Sequence, residues 1–390
     1  MQIRFVLLLA LLTAFPPLAT DMYLPAIPHL MELWGYPLSV VNLTLVLFFV
    51  TYCISLLFYG PLSDRFGRKP PLISGLILFI GASLLCAFAT SIWMLIIARI
   101  IQGMGAGAAS SISLAMARDR FESGAREKVL SQVSVIMALA PMISPTIGSL
   151  ILDFLSWPWI FIAQGIMGGV ALVGVLATAE SHTGEAGETF MALLQKYKEA
   201  FQNPRLMGVV FCNAIISLPL FAFIAGSSSI YINRFGLNEN VFALFFGANA
   251  MCFMAGSMTC MRFGKKLGTL PMISFGYAGI MFGGMLMLIN TFSGPWQFAI
   301  PMGLTTFCLG LSRPPSNNLA LEQVTKDAGT ASSIMVFSYF MCGALSMAAV
   351  SQGWQDKVVY IGYLSLVSGI AAFGFWAFLK KHLHINTGQH

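Results

Sequence analysis

Apolar runs of about 20 residues follow one another along nearly the whole chain, separated by short polar clusters. Nothing else in the sequence restricts the fold as strongly. At 1.5 Å per residue, about 20 helical residues cross the roughly 30 Å hydrocarbon core of a bilayer. Lipid offers no partner to backbone N–H and C=O groups, so only helices and closed barrels span it. The runs lack the period-2 alternation of barrel strands. The sequence therefore predicts an all-α membrane protein. Pairing each run with a loop signal gives twelve expected spans: 5–31, 39–61, 71–90, 92–117, 129–152, 158–178, 206–232, 240–261, 270–290, 296–318, 329–351 and 357–379. Composition agrees. Charged residues are 9% and hydrophobic residues 57% of the 390, whereas an average soluble domain is about 25% charged. A water-soluble enzyme and a disordered chain are excluded. The net charge of +6 does not signal nucleic acid, because the basic residues sit in clusters between spans.

Those clusters set the orientation. With the N-terminus inside, 17 of the 21 Lys and Arg residues fall on the cytoplasmic side, among them Arg4, Arg65, Arg68, Lys69, Arg118, Arg126, Lys128, Lys265, Lys326 and Lys380. Only Arg234 and Lys357 fall outside, and Arg99 and Arg313 lie within spans. The asymmetry predicts that both termini are cytoplasmic. The first run carries Arg4 and could pass for a signal peptide, but eleven more spans follow it, and it is expected to be a retained helix.

The polar stretch 179–204 divides the spans six and six. The expected organisation is an N-terminal half (1–178), a cytoplasmic central loop (179–204), a C-terminal half (205–380) and a cytoplasmic tail (381–390). Apolar spacing in Phe190–Phe201 predicts a helix lying on the membrane surface. The halves echo each other. Arg65-Phe66-Gly67-Arg68-Lys69 follows span 2, and Arg262-Phe263-Gly264-Lys265-Lys266 follows span 8, with 262 − 65 = 197 residues between them. Ser134-Val135-Ile136-Met137 is echoed by Ser332-Ser333-Ile334-Met335, with 332 − 134 = 198 between them. Two echoes at nearly one offset predict duplicated, pseudo-symmetric six-helix halves, the architecture of transporters that rock around a central site.

Asp21 is the one acid well inside an apolar run. An ionisable group at that depth costs about 2.5–3.5 kcal/mol on insertion scales and marks an ion or substrate path. Counting at 1.5 Å per residue puts Asp21 about 6 Å from the outer face and Arg99 about 10 Å deep. These depths permit a pair that offsets part of each burial cost. The bland alternative is that Asp21 caps a kinked outer end rich in proline (Pro16, Pro17, Pro25, Pro28). After span 2, Gly67 permits a tight turn, and Asp64 is placed to meet the positive end of the helix that begins near Gly329–Ser332. Pro141 and Pro145, with Gly148, predict a bent span 5. Arg313, in span 10 beside Pro314-Pro315, is expected to pair with Glu322 or snorkel inward, ahead of holding an anionic substrate group. Asn42, Tyr52, Gln102, Gln164, Asn213, Ser217 and Asn249 are further polar groups within spans, and Asn213 and Ser217 share a helix face. Some of these are expected to line a substrate cavity. The seven cysteines fall in or beside apolar runs without a CxxC pair and are read as packing residues. No Walker loop, GxSxG or metal-ligand spacing is present, so no enzyme, cofactor or metal is expected.

Several segments resemble the major facilitator superfamily. Gly60-Pro61-Leu62-Ser63-Asp64-Arg65-Phe66-Gly67-Arg68-Lys69-Pro70 is similar to its loop 2–3 signature, and Arg99-Ile100-Ile101-Gln102-Gly103-Met104-Gly105-Ala106-Gly107 to its span 4 motif. Pro141-Met142-Ile143-Ser144-Pro145-Thr146-Ile147-Gly148 resembles the span 5 motif of drug–proton antiporters. Thr20-Asp21-Met22-Tyr23-Leu24-Pro25, Met116-Ala117-Arg118-Asp119 and Ala328-Gly329-Thr330-Ala331-Ser332-Ser333 narrow the resemblance to the bicyclomycin/chloramphenicol-resistance (Bcr/CflA) subgroup. The resemblance implies a monomeric multidrug or small-molecule efflux antiporter in a bacterial inner membrane, driven by protons, with a small amphipathic substrate. Transport of a specific metabolite, such as a siderophore or organic acid, is the alternative. It also implies proton coupling at Asp21 and Arg99, a conformational latch of Gly60, Asp64, Arg65, Gly67, Arg68 and Asp119, a leak-limiting role for the span 5 prolines and a place for Tyr23 at the cavity. The chain departs from the pattern at Thr13, where some such exporters carry a second acid, and at Leu56, commonly Gln.

Overall fold

Proline and glycine placement decides where these apolar helices break. The computed structural model describes residues 2–121, 123–180, 190–289, 292–324 and 328–380, which are helices and connections without a strand. The tail 381–390, Lys326 and residues 181–189 of the central loop lie outside the described residues, as do the side chains of Arg126, Lys128 and Lys265. Packing divides the chain into two units, Met1–Glu188 with Leu237–Gly247, and Thr189–Gly236 with Ala248–His390.

The first unit runs α1 (Gln2–Thr13), α2 (Phe15–Asp21), α3 (Ile27–Trp34), α4 (Leu38–Val41), α5 (Leu43–Phe66), α6 (Lys69–Ala87), α7 (Ile92–Arg120), α8 (Ser123–Phe154) and α9 (Pro158–Leu176). The second continues with α10 (Phe190–Gln202), α11 (Pro204–Ile215), α12 (Leu218–Ser228), α13 (Glu239–Leu267), whose first turns belong to the first unit, α14 (Thr269–Ile289), α15 (Trp296–Glu322), α16 (Ala328–Val350) and α17 (Lys357–Leu379). The segment expected as a surface helix is α10.

Nine helices among the described residues are long and apolar enough to cross a membrane, or ten if α1 and its bent continuation count as one. The fifth and tenth expected spans fall outside that count. In α8 several side chains up to position 138 lie outside the described residues, and the apolar stretch Leu139–Phe154 alone is too short for that count. In α15, Gln297, Arg313, Asn317, Asn318, Glu322 and three prolines dilute the apolar residues of a 27-residue helix.

The first span of each half is interrupted. Pro16 and Pro17 open α2 and cannot donate to the preceding turn, and the chain bends by 49° there. A short 3-10 turn, Leu24–Ala26, follows around Pro25, and α3 ends on Gly35 at φ +67°. In the second half Pro219 separates α12 from α11, and a wide π-type turn, Ser229–Arg234, continues α12. The two RFG segments behave differently. Gly67, at φ +86°, terminates α5, but Gly264 stays inside α13 and the turn comes at Gly268, φ +83°. The echoed segment thus precedes its turn by one more helical turn than the first does.

Within each unit, neighbouring helices approach until backbones touch. A Cβ on Gly103 would lie 2.4 Å from the Phe48 carbonyl oxygen, which brings α7 onto α5, and a Cβ on Gly310 would lie 2.2 Å from that of Phe253, which brings α15 onto α13. The second unit's core gathers Cys212, Ile216, Ile273, Tyr277, Ile280, Cys308, Leu309 and Trp376, with the Trp376 indole N–H on Ser274 Oγ at 3.0 Å.

Candidate functional site

The break in the first span creates the centre of the first unit. The Tyr23 N–H bonds to Thr20 O, which leaves the Ala19 carbonyl without its helical donor. A buried carbonyl in that state draws side-chain donors. Arg99 Nη1 donates to it at 3.0 Å and Gln164 Nε2 at 3.1 Å. The same Nη1 reaches Gln102 Oε1 at 2.5 Å, and Arg99 Nε reaches Thr44 O at 3.3 Å. Gln102 Nε2 closes the loop on Gln164 Oε1 and Ser83 Oγ, both at 2.8 Å. Arg99, Gln102, Gln164 and Ser83 are all fully buried. Three rings surround the guanidinium, with Phe48, Tyr23 and Phe161 centroids 4.4, 5.4 and 5.8 Å away. Carbonyl oxygens and aromatic faces thus take the place that a carboxylate would have filled. Among the described residues Arg99 Nη2 has no hydrogen-bond partner.

The expected Asp21–Arg99 pair is not made in this structure. Arg99 does reach the first span two residues before Asp21, but at the freed Ala19 carbonyl. Asp21 is buried at 4% exposure, and its hydrogen-bond partner is Thr20, whose Oγ lies 2.9 Å from Asp21 Oδ1. The same hydroxyl lies 2.9 Å from Pro16 O and 3.4 Å from Pro17 O. One hydroxyl has one proton, so Thr20 donates either to the carboxyl or back into its own helix.

Gly148 of α8 sits against this segment. A Cβ there would lie 2.0 Å from the Met22 carbonyl oxygen, one residue beyond Asp21. Pro145 is buried and Pro141 half-buried on the same helix. Span 5 therefore touches the Asp21 segment directly, which kink-based reasoning did not foresee.

At the α5–α6 turn, Arg68 is buried and holds three partners. Its Nε donates to Asp119 Oδ2 at 2.6 Å, and its Nη1 to Ser63 Oγ at 2.8 Å and to Asp64 Oδ1. Burial pulls its pKa down, but hydrogen bonds and charge attraction from Asp119 and Asp64 outweigh that, and the net shift is upward. Glu180, to which no sequence signal pointed, accepts the Arg68 and Lys69 N–H groups at 3.1 and 3.0 Å and so caps α6. Arg65 was expected in this cluster, but it lies exposed over the neighbouring Phe66 ring, 5.3 Å from its centroid. Gly60 makes no tight contact; a Cβ there would meet Ser111 Oγ at 3.7 Å.

The interruption in the second unit gathers another polar group. Asn213 Nδ2 donates to Asn317 Oδ1 at 3.2 Å, and Ser217 Oγ lies 2.6 Å from the Ala214 carbonyl and 3.1 Å from the Tyr339 carbonyl, sharing its one proton between them. Arg313 is half-exposed, one turn before Asn317, with its guanidinium carbon 3.7 Å above the Tyr339 ring centroid. The expected pairing with Glu322 is absent. Nine residues at 100° each put the two side chains about 180° apart on the helix. Pro314 lacks the N–H for Gly310 O, and Ser257 Oγ bonds that carbonyl at 3.2 Å instead.

Among the other expected cavity residues, Tyr23 and Gln102 belong to the Arg99 cluster. Thr44 Oγ meets Tyr23 Oη at 3.2 Å. Tyr52 packs with Phe48 and Phe49 at 6.4 Å between centroids. Asn42 is buried between α4 and α5, and Asn249 is buried on α13.

An all-helical, multi-pass chain whose buried polar centres lie beside broken spans is a membrane transporter rather than an enzyme. The chain belongs to the Major Facilitator Superfamily, whose family model matches residues 9–347. It is 30% identical over 373 residues to the bicyclomycin resistance protein homolog of Haemophilus influenzae, covering 90% of both chains. It is 26% identical to the multidrug resistance protein MdtL of Klebsiella pneumoniae, covering 94% of this chain and 92% of that one. The crystal structure of a bacterial homolog of the human lysosomal transporter Spinster, inward-facing and unoccupied, superposes with a TM-score of 0.78 at 12% identity, covering 98% of each chain.

Proposed function

We propose that this chain is a proton-coupled exporter of small amphipathic compounds in a bacterial inner membrane, with twelve spans in two six-helix halves, both termini cytoplasmic, acting as a monomer without a cofactor. The carrying observation is the buried Asp21 carboxyl, set in an interrupted span and joined to Thr20 rather than to a cation. Interrupted helices in corresponding positions of the two halves mark the binding region of repeat-built transporters. Because Arg99 is held by carbonyls and rings, a proton can enter and leave Asp21 without breaking an ion pair. When Asp21 is ionised, Thr20 donates to it. When Asp21 is protonated, it donates to Thr20 Oγ, and Thr20 turns its own proton to the Pro16 carbonyl. Proton binding thereby tightens the helix just after its break, a local change suited to bias a two-state element. The names of the relatives, which refer to bicyclomycin and multidrug resistance, support export of drug-like compounds. The Arg68–Asp64–Asp119 cluster would act as the conformational latch, made in one orientation and loosened in the other.

The test uses energised inverted vesicles or proteoliposomes with an imposed pH gradient and a panel of amphipathic compounds. Adding a substrate should release protons, and accumulation should collapse with an uncoupler. Transport that needs ATP while the gradient is clamped would refute the reading.

A further inference from the structure

Arg313 has a use that the proposed proton path leaves unassigned. Among the described residues its guanidinium makes no hydrogen bond and no ion pair, yet it is not loose: it is stacked 3.7 Å over the Tyr339 ring. Stacking on an aromatic face fixes the plane of the guanidinium while leaving its N–H edges outward. A planar fork held this way matches the two oxygens of a carboxylate. Two more polar atoms of the same cluster, Tyr339 Oη and Asn213 Oδ1, are buried and have no partner among the described residues. Buried polar atoms normally find one. The phenol can donate to an anion. The amide oxygen can only accept, so it asks for an O–H or N–H on the ligand. Asn317 ties the two sides together, one turn from Arg313 and bonded to Asn213, and the Ser217 hydroxyl, between α11 and α12, lies 3.1 Å from the Tyr339 carbonyl. A lone cation in an apolar span costs several kcal/mol on insertion scales and ordinarily finds a carboxylate or the headgroup region; this one has no carboxylate partner among the described residues.

We propose that Arg313, stacked on Tyr339 and flanked by Asn213 and Asn317, binds the carboxylate of an amphipathic compound that carries a neighbouring hydroxyl or amide donor. This rests on reading the chain as an exporter and specifies a substrate class for it, that of organic anions with an adjacent donor. All the residues named belong to the second unit, so the site does not depend on Asp21.

Binding to the full-length protein in phosphatidylcholine nanodiscs, without any gradient, tests it. The probes are 3-hydroxy-2-naphthoate and its neutral carboxamide. Wild type should bind the carboxylate at least about tenfold more tightly than the amide. Arg313→Gln should erase that ratio, Arg313→Lys should leave a reduced ratio because charge remains without the fork, and Tyr339→Phe should lower it several-fold while keeping the stack. Glu322→Gln, on the opposite face of α15, should leave it intact and serves as the control. Arg313→Lys and Tyr339→Phe keep the test decisive if Arg313→Gln fails to fold. Absence of a carboxylate preference in wild type, or its survival in Arg313→Gln, overturns the proposal. So does loss of carboxylate binding when phosphatidylglycerol replaces half of the lipid, since the cluster would then be holding a lipid headgroup. The exporter reading is decided separately by the proton-release assay: a chain that binds the carboxylate but moves no protons keeps this site and loses that reading.

Discussion

Gly148→Ala adds one methyl group at the point where span 5 meets the Asp21 segment. The new Cβ would fall 2.0 Å from the Met22 carbonyl oxygen and 2.9 Å from its carbon. Ordinary contact begins near 3.4 Å, so one backbone must retreat by 3.4 − 2.0 = 1.4 Å. The atom in the way is backbone, not the flexible end of a side chain, and no rotamer change relieves it. Overpacking of this kind costs about 1–3 kcal/mol. Replacing a helical glycine by alanine returns about 0.5–1 kcal/mol through the unfolded state, so the clash wins. The displaced carbonyl adjoins Asp21, and about 1.4 kcal/mol added to the rate-limiting reorientation slows it tenfold. Gly148→Ala should therefore lower the thermal midpoint of the purified protein and cut gradient-driven uptake into proteoliposomes at least about tenfold. Gly169→Ala is the matched control, because nothing lies within 4 Å of a Cβ there, and it should be neutral or slightly stabilising. Wild-type turnover and thermal midpoint in Gly148→Ala would refute the contact and the link it makes between span 5 and Asp21.

Asp21→Asn should abolish accumulation against a gradient while downhill exchange survives, measured as counterflow in the same vesicles; undiminished accumulation would make Asp21 structural. Thr20→Val keeps the shape of the side chain but removes the hydroxyl, so the pH profile of transport should shift while expression holds, whereas an unchanged profile would remove Thr20 from the proton path. Asp119→Asn strips the carboxylate that meets Arg68 Nε and Nη2; turnover should fall several-fold with substrate binding retained, and an unchanged distance distribution across the cytoplasmic face by spin-label spectroscopy would deny the latch. Asp356 caps α17 by accepting the Val358 and Val359 N–H groups at 2.9 and 3.2 Å and also pairs with Arg234. Asp356→Ala should cost about 0.5–2 kcal/mol for the cap, and Arg234→Ala less, because a part-exposed pair contributes about 0–1 kcal/mol; equal losses in melting experiments would contradict that division.

Hydropathy and charge position were legible because they act residue by residue. Runs of apolar side chains announce helices in lipid, and Pro16 and Pro17 announce a kink in the first span, whereas the break at Pro219 was not read from the sequence. Residue counting placed Asp21 and Arg99 at compatible levels, and Arg99 does contact the Asp21 helix, at Ala19 O. What the sequence could not convey was the direction in which Arg99 turns. That is set by a carbonyl, Ala19 O, which becomes available only because a local change of helix type withdraws its donor. Main-chain acceptors carry no residue signature. Ser83 and Glu180 were hidden for a related reason: one is a small polar residue among many, and the other reaches its targets from 111 or 112 residues away in the chain. Arg313 was noticed, but its partner was sought along its own helix at Glu322, whereas the contact is with an aromatic face on α16.

The glycine crossings have a bearing on how such a chain changes over evolutionary time. At Gly310 the contact partners are backbone atoms, which every residue type possesses, and at Gly103 the Phe48 carbonyl shares the contact with the Thr51 hydroxyl. A helix pair held in this way makes few demands on the side chains around it, provided the small position stays small. Outward positions such as Leu244, Phe275 and Met261 are exposed and need only remain compatible with lipid. Drift can then replace most of the surface without moving the helix axes. A superposition with a TM-score of 0.78 at only 12% identity is the outcome expected of that freedom. The same freedom makes an inserted methyl group at a crossing more disruptive than a wholesale exchange of the lipid-facing surface.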